Sequence, residues 1–170
     1  MGKGSISVYY GEGKGKSSSA VGYAVRVAAM GKSSIIIQFL KEKKEGDEYR
    51  KRLEPEIRFF RFEKSSKNFD DLSEEEKYEE AKNIKNGFQF AKKVLQTGDC
   101  DVLILDEFLG LLDHHLMTKE ELKLLIAAKS EETEMIFTGR VMNPDLEEYV
   151  NCIYHIKAER CDTECCQKLD

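Results

Sequence analysis

The run Gly11-Glu12-Gly13-Lys14-Gly15-Lys16-Ser17-Ser18 constrains this chain more than any other stretch. A β-prone segment, Ile6-Ser7-Val8-Tyr9-Tyr10, precedes it, and a helix-prone segment from Ser19 to Met30 follows. Strand, glycine-rich loop, Gly-Lys-Ser and helix, in that order, predict a phosphate loop. The chemistry needs these residue types. A polyphosphate is densely anionic and must meet backbone N–H groups at close range. Glycines let the backbone turn tightly with no Cβ in the way. Lys16 can reach phosphate oxygens, and the Ser17 hydroxyl can hold a divalent cation. The N–H groups and dipole of the following helix add to the attraction. The whole run from Gly11 to Ser18 is therefore assigned to nucleotide binding, with Lys14 either a phosphate ligand or a solvated loop lysine.

The spacing departs from the common G-x-x-x-x-G-K-[ST] pattern. Five places before Gly15 stands Tyr10; the first glycine falls one place later, at Gly11. The loop is a tighter variant, Gly-x-Gly-Lys-Gly-Lys-Ser. A plain glycine turn between strand and helix is the alternative, and the Gly-Lys-Ser at the junction disfavours it.

Further strands are expected at Ser34 to Leu40, Ile57 to Phe62, Cys100 to Asp106, Glu134 to Thr138 and Asn151 to Ile156. The first helix is expected over Lys16 to Met30, with Val21, Ala24, Val25 and Ala28 as its buried stripe. Ser73 with Glu76, and Thr118 with Glu121, are capping boxes. They open helices reaching about Thr97 and Lys129. In the longer one Ala81, Ile84, Phe88, Ala91 and Leu95 mark the buried face. Pro144 suits the first turn of a short helix. Strands that are apolar throughout, alternating with helices, predict an α/β fold with a mostly parallel sheet covered by helices on both faces. With the loop, this is a P-loop NTPase-like, RecA-like architecture, whose ligands sit beyond the carboxyl ends of the strands.

Val102-Leu103-Ile104-Leu105-Asp106-Glu107 is an apolar strand ending in two acids. In phosphate-loop proteins a carboxylate here sits near the loop hydroxyl and helps to hold Mg²⁺. Ser17, Asp106 and Glu107 are thus the candidate metal set, and which acid touches the metal stays open on these residues alone. Arg140, in Thr138-Gly139-Arg140, should open on the same edge and bind phosphate or ribose oxygens, or pair with an acid. Phe39 and Lys41 follow Gln38 at the end of the second strand. They are candidate nucleotide contacts, with core and solvated loop as their alternatives. His114 and His115 are adjacent, so they do not face one metal site on a helix. No side-chain nucleophile with a paired base emerges.

Composition narrows the partners. The chain has 170 residues and a formal net charge of -5. That predicts one domain, residues 1–170, and argues against nucleic acid as the main partner. No apolar run approaches the roughly 20 residues that span a bilayer. Met1 to Ser5 lacks a signal peptide's apolar segment, so no membrane partner and a cytoplasmic location are expected. Of the five cysteines, Cys100 and Cys152 read as strand-end or core residues. Cys161, Cys165 and Cys166 make an atypical tail from about residue 157. Their spacing favours free thiols over a structural zinc site.

Together these motifs resemble the P-loop corrinoid adenosyltransferases over about residues 5 to 150. The family's Gly-Asn-Gly-Lys-Gly-Lys-Thr loop is Gly11-Glu12-Gly13-Lys14-Gly15-Lys16-Ser17 here. Its first-helix arginine corresponds to Arg26, which the resemblance adds to the nucleotide set. Its Gln-Phe-x-Lys, Leu-Asp-Glu and Thr-Gly-Arg segments match Gln38 to Lys41, Leu105 to Glu107 and Thr138 to Arg140. Glu12 for Asn and Ser17 for Thr are departures; the second keeps the hydroxyl. The resemblance implies a transferase that moves the 5′-deoxyadenosyl group of ATP to the Co(I) of a corrinoid, releasing triphosphate. ATP is then co-substrate, with Mg²⁺ or Mn²⁺, and Glu107 is the first choice for the carboxylate near the metal. It also implies a homodimer, a reductase or flavodoxin supplying electrons, and a place in cobalamin biosynthesis. Another P-loop ATPase or small-molecule kinase, or a non-catalytic corrinoid or nucleotide carrier, is the alternative.

Overall fold

The computed structural model describes residues 4–40 and 47–160. Lys41 and the cysteines at 161, 165 and 166 lie outside the described residues. Six strands form one sheet: β1 (Ile6–Tyr10), β2 (Ser34–Gln38), β3 (Ile57–Arg61), β4 (Val102–Asp106), β5 (Glu134–Gly139) and β6 (Cys152–His155). Their order across the sheet is β3-β2-β4-β5-β1-β6, and every pairing is parallel. The helices are α1 (Lys16–Ala28), α2 (Glu74–Thr97), α3 (Leu109–Asp113), α4 (Lys119–Ala127) and α5 (Pro144–Glu147), with 3₁₀ turns at Asp47–Leu53 and Phe69–Asp71.

The apolar strands explain the layering. Successive strand residues point to opposite faces. Ile35 and Ile37, Leu103 and Leu105, and Met135 and Phe137 enter one core with residues of α2, α3 and α4. Ile36, Ile104 and Ile136 enter a second core with Ala20, Ala24 and Val27 of α1. Both faces are dry in the centre of the sheet, so these strands read as continuous apolar runs rather than alternating ones.

Both capping boxes form. Ser73 N donates to Glu76 Oε2 at 2.8 Å while Glu76 N donates to Ser73 Oγ at 3.3 Å. Thr118 and Glu121 repeat the exchange at 2.9 and 3.1 Å. The buried face of α2 carries Ile84, Phe88, Ala91 and Leu95 as expected; Ala81 is half-buried. Of the expected stripe of α1, Ala24 is buried and Val21 and Ala28 pack half-buried on the core, while Val25 faces out. The buried residues of α1 are Lys16, Ala20, Ala24 and Val27, and Val25 is 45 % exposed. The helix lays Ala20, Ala24 and Val27 on the sheet, one position round from Val21 and Val25. β2 stops at Gln38, two residues before Leu40 takes a left-handed turn at φ 52°. Cys100 is buried, whereas Cys152 is exposed on the edge strand β6. Among the described residues no helix is long and apolar enough to cross a membrane.

Candidate nucleotide site

A parallel sheet puts the carboxyl ends of all its strands on one edge. There β2, β4, β5 and β1 stand side by side. Their ends bring Gln38, Asp106 and Glu107, Thr138 to Arg140, and the loop from Gly11 to Ser18 into one row. β5 lies between β1 and β4, so the end of β5 sits between the loop and the two acids.

Gly11, Gly13 and Gly15 all have positive φ, at 141°, 78° and 108°. Side chains rarely adopt that region, which is why glycine occurs at these turns. Gly11 also allows a close backbone approach: a Cβ there would lie 1.9 Å from the carbonyl oxygen of Ile156. Gly11 N donates to Gly139 O at 3.2 Å, tying the loop to β5. Gly15 caps α1 without any side-chain hydrogen bond, and no acid stands in the first turn. The opening N–H groups of α1 are therefore presented to an anion rather than spent on a cap. Lys16 is 4 % exposed, and its Nζ donates to Gly13 O at 2.6 Å. A carbonyl satisfies one donor but leaves the positive charge uncompensated.

Asp106 is 2 % exposed and accepts from Ser17, Thr138 and Gln38. Ser17 Oγ and Thr138 Oγ1 each donate to Oδ1 at 2.7 Å, and Gln38 Nε2 donates to Oδ2 at 3.2 Å. With its proton donated to Asp106, the Ser17 oxygen keeps the acceptor character that a divalent cation requires of a ligand. Glu107 follows in a left-handed turn, φ 57°, and its N–H donates to Thr138 Oγ1 at 2.9 Å. The donors gathered here are hard oxygens. Among the described residues no group of three or more His, Cys, Asp and Glu could cage a metal. A hydroxyl with one or two carboxylates is instead the set that suits Mg²⁺, which keeps waters and takes its remaining oxygens from phosphates.

Glu12, Lys14, Ser18 and Arg140 are exposed, all on the loop, its helix start or the β5 end. Two residues of the expected set are not brought in. Phe39 is fully buried, stacked edge-on against Phe108 at 5.8 Å and packed on Gly87, so its side chain belongs to the core. Arg26 stands in the last turn of α1. Ten residues of helix put it about 15 Å along the axis from Lys16. Gln38 and Thr138 lie in matched segments, but nothing local in the sequence gives either one a role at the site. A brace under the loop likewise has no local sequence signal. Tyr10 stacks on His155 at 4.6 Å, Ile156 N donates to Tyr10 O at 2.7 Å, and Ile156 lies against Gly11 and Gly15.

The comparisons with known proteins agree with this geometry. The family described as ATP:corrinoid adenosyltransferase BtuR/CobO/CobP matches residues 2–165. Corrinoid adenosyltransferase of Escherichia coli (strain K12) is 26 % identical over 155 residues, covering 91 % of this chain and 77 % of the relative. Corrinoid adenosyltransferase CobA of Salmonella typhimurium is 25 % identical over the same shares. Among solved structures, the KaiC-like protein PH0186 of Pyrococcus horikoshii OT3 superposes with a TM-score of 0.59 at 14 % identity, over 93 % of this chain and 75 % of that one. That likeness establishes the α/β P-loop fold.

Proposed function

This chain belongs to the ATP:corrinoid adenosyltransferase family, and we propose on that premise that it moves the 5′-deoxyadenosyl group of ATP to the Co(I) of a corrinoid. The electron pair of Co(I) attacks C5′, the C5′–O5′ bond breaks, and triphosphate leaves with that bond's electrons. The substrate is its own nucleophile, so the protein needs no Ser, Cys or His for the attack. Its task is to hold ATP in line and to stabilise charge on the leaving group.

The convergence of Lys16, Ser17 and Asp106 beneath a loop with three positive-φ glycines carries this reading. The backbone N–H groups of Gly11 to Ser18 receive phosphate oxygens. Lys16 exchanges Gly13 O for the triphosphate, and its buried charge then gains an anion. Asp106 orients Ser17, and Glu107 is the carboxylate closest in role to the metal. Bound Mg²⁺, or Mn²⁺, supplies further neutralisation of the triphosphate. Among the described residues, Arg140 and Lys14, exposed beside the loop, are further cations for phosphate or ribose oxygens. Phe39 and Arg26 are left out of the contacts made within one chain. One continuous sheet, with β1 paired to the late strands β5 and β6, supports a single nucleotide-binding domain. A cytoplasmic homodimer that receives electrons from a flavodoxin or other reductase is part of the same proposal, on family grounds.

Nucleotide products test the reading. Incubation with ATP, Mg²⁺ and a reduced corrinoid should yield triphosphate in step with ATP loss. Formation of ADP would assign the site to an ATPase or kinase instead, and ATP bound but unchanged would assign it to a carrier.

A further inference from the structure

We propose that Thr138 is a positioning residue that sets the Glu107 carboxylate relative to the Ser17–Asp106 pair; the inference rests on the nucleotide–metal site described above. Thr138 is fully buried at the end of β5, between the loop and the acids. Its hydroxyl does two things at once. It donates to Asp106 Oδ1 at 2.7 Å and accepts from Glu107 N at 2.9 Å. A hydroxyl has one proton and two lone pairs, so this arrangement commits the proton to the carboxylate and a lone pair to the next residue's backbone.

The consequence is mechanical. The same Oδ1 takes the Ser17 proton, and Gln38 holds Oδ2. Asp106 is thereby fixed against rotation, and Thr138 is referenced to it. Glu107 sits at φ 57°, a region that side chains other than glycine occupy uncommonly and that surrounding structure must hold. The hydrogen bond to Thr138 is one such hold. The next residue of β5 supplies a second: a Cβ on Gly139 would lie 2.3 Å from Leu109 Cβ, so its absence lets the start of α3 seat directly on the strand. Glu107 is thus pinned through its own N–H and two residues later. Magnesium demands near-ideal octahedral geometry, so a carboxylate displaced by about 1 Å serves poorly.

Mn²⁺ in place of Mg²⁺ makes this testable without the cobalt reaction. Electron paramagnetic resonance spectra of the Mn²⁺–ATP complex are compared for the wild type, Thr138→Val, Thr138→Ala and Thr138→Ser. Valine keeps the shape and loses both hydrogen bonds; alanine loses them without the bulk and stands in where valine does not fold. Both should give one common altered spectrum, and serine should restore the wild-type one. Adenosyl transfer should show kcat lowered about ten- to a hundred-fold in the valine and alanine variants, with KM for ATP within about three-fold. Wild-type spectra from the valine and alanine variants, or a serine variant that fails to restore, would overturn the inference. A wild type that binds no Mn²⁺–ATP would overturn the site and this role together. A wild type that binds it but transfers no adenosyl group would count against the activity alone, because the spectra still decide on Thr138.

Discussion

Ser17 Oγ and Asp106 Oδ1 stand 2.7 Å apart across 89 positions of chain. The contact joins the start of α1, which follows β1, to the end of β4, and β5 stands between β1 and β4 in the sheet. It exists because a parallel sheet aligns its carboxyl ends, and because Asp106 is buried and must be satisfied by whatever donors its neighbours bring. Asp106→Ala would leave the hydroxyls of Ser17 and Thr138 and the amide of Gln38 without their acceptor. Urea unfolding should show a loss of about 3 kcal/mol. An unchanged midpoint would mean that these donors find water instead.

Lys16→Ala removes the ammonium buried under the loop and its contact to Gly13 O. The fold should survive, because a single hydrogen bond to a carbonyl contributes only about 1 kcal/mol. ATP turnover should fall by about a hundred-fold or more, as loss of transition-state charge stabilisation implies. Far-UV circular dichroism with a turnover assay checks both halves. Turnover at the wild-type level by a folded variant would remove Lys16 from the site.

Gly11 and Gly13 separate two kinds of cost. Each has a positive φ, but a Cβ on Gly13 meets nothing within 4 Å, while one on Gly11 meets Ile156 O at 1.9 Å. Gly13→Ala should cost about 1–2 kcal/mol, from backbone strain alone. Gly11→Ala should cost more, because it also drives β6 off the loop. Thermal denaturation of the two variants ranks them; the reverse order would contradict the brace.

The loop, both capping boxes and the acid-ended strand were legible because each is a local pattern with a local cause. Ser73 and Glu76 meet within one turn, and Gly11 to Ser17 form one turn of backbone. The part played by Thr138 was not legible. Its partners, Asp106 and Glu107, lie some thirty positions earlier, and only the order of strands brings them together. Neither was the face of α1, where an apolar stripe one position over, through Val21 and Val25, competes with Ala20, Ala24 and Val27. Both faces carry valines, so hydrophobicity alone does not choose between them; the small Ala20 and Ala24 let the helix approach the sheet closely. Arg26 and Phe39 show the limit of matching segments, since a matched residue can stand a helix length away or in the core.

Glu63 gives a pH prediction. Burial pushes its carboxyl above the ordinary 4.5, opposed by the N–H groups of Leu40 and of Glu63 itself and by Arg61, and reinforced by Glu80. Its Oε2 is buried with no hydrogen-bond partner among the described residues, while Oε1 accepts from Leu40 N at 2.8 Å. A raised folded pKa means that the folded chain holds this proton more tightly than the unfolded one. The group therefore favours folding below 4.5, and that contribution is lost as pH rises through the raised value. Glu63→Gln keeps the acceptor for Leu40 and removes the charge. It should raise Tm near neutral pH, with the gap to the wild type closing at about pH 4. A gap that widens on acidification would reverse the sign assigned to this carboxyl.

The most direct test of the whole account is anaerobic. Chemically reduced cobalamin, and separately reduced cobyrinic acid a,c-diamide, are mixed with the protein, ATP and Mg²⁺, and the cobalt spectrum is followed while triphosphate is assayed. The Co(I) spectrum should convert to that of an adenosylated corrinoid, with one triphosphate for each cobalt alkylated. Co(I) that persists with both corrinoids, in the presence of protein that binds ATP, would contradict the proposed transfer.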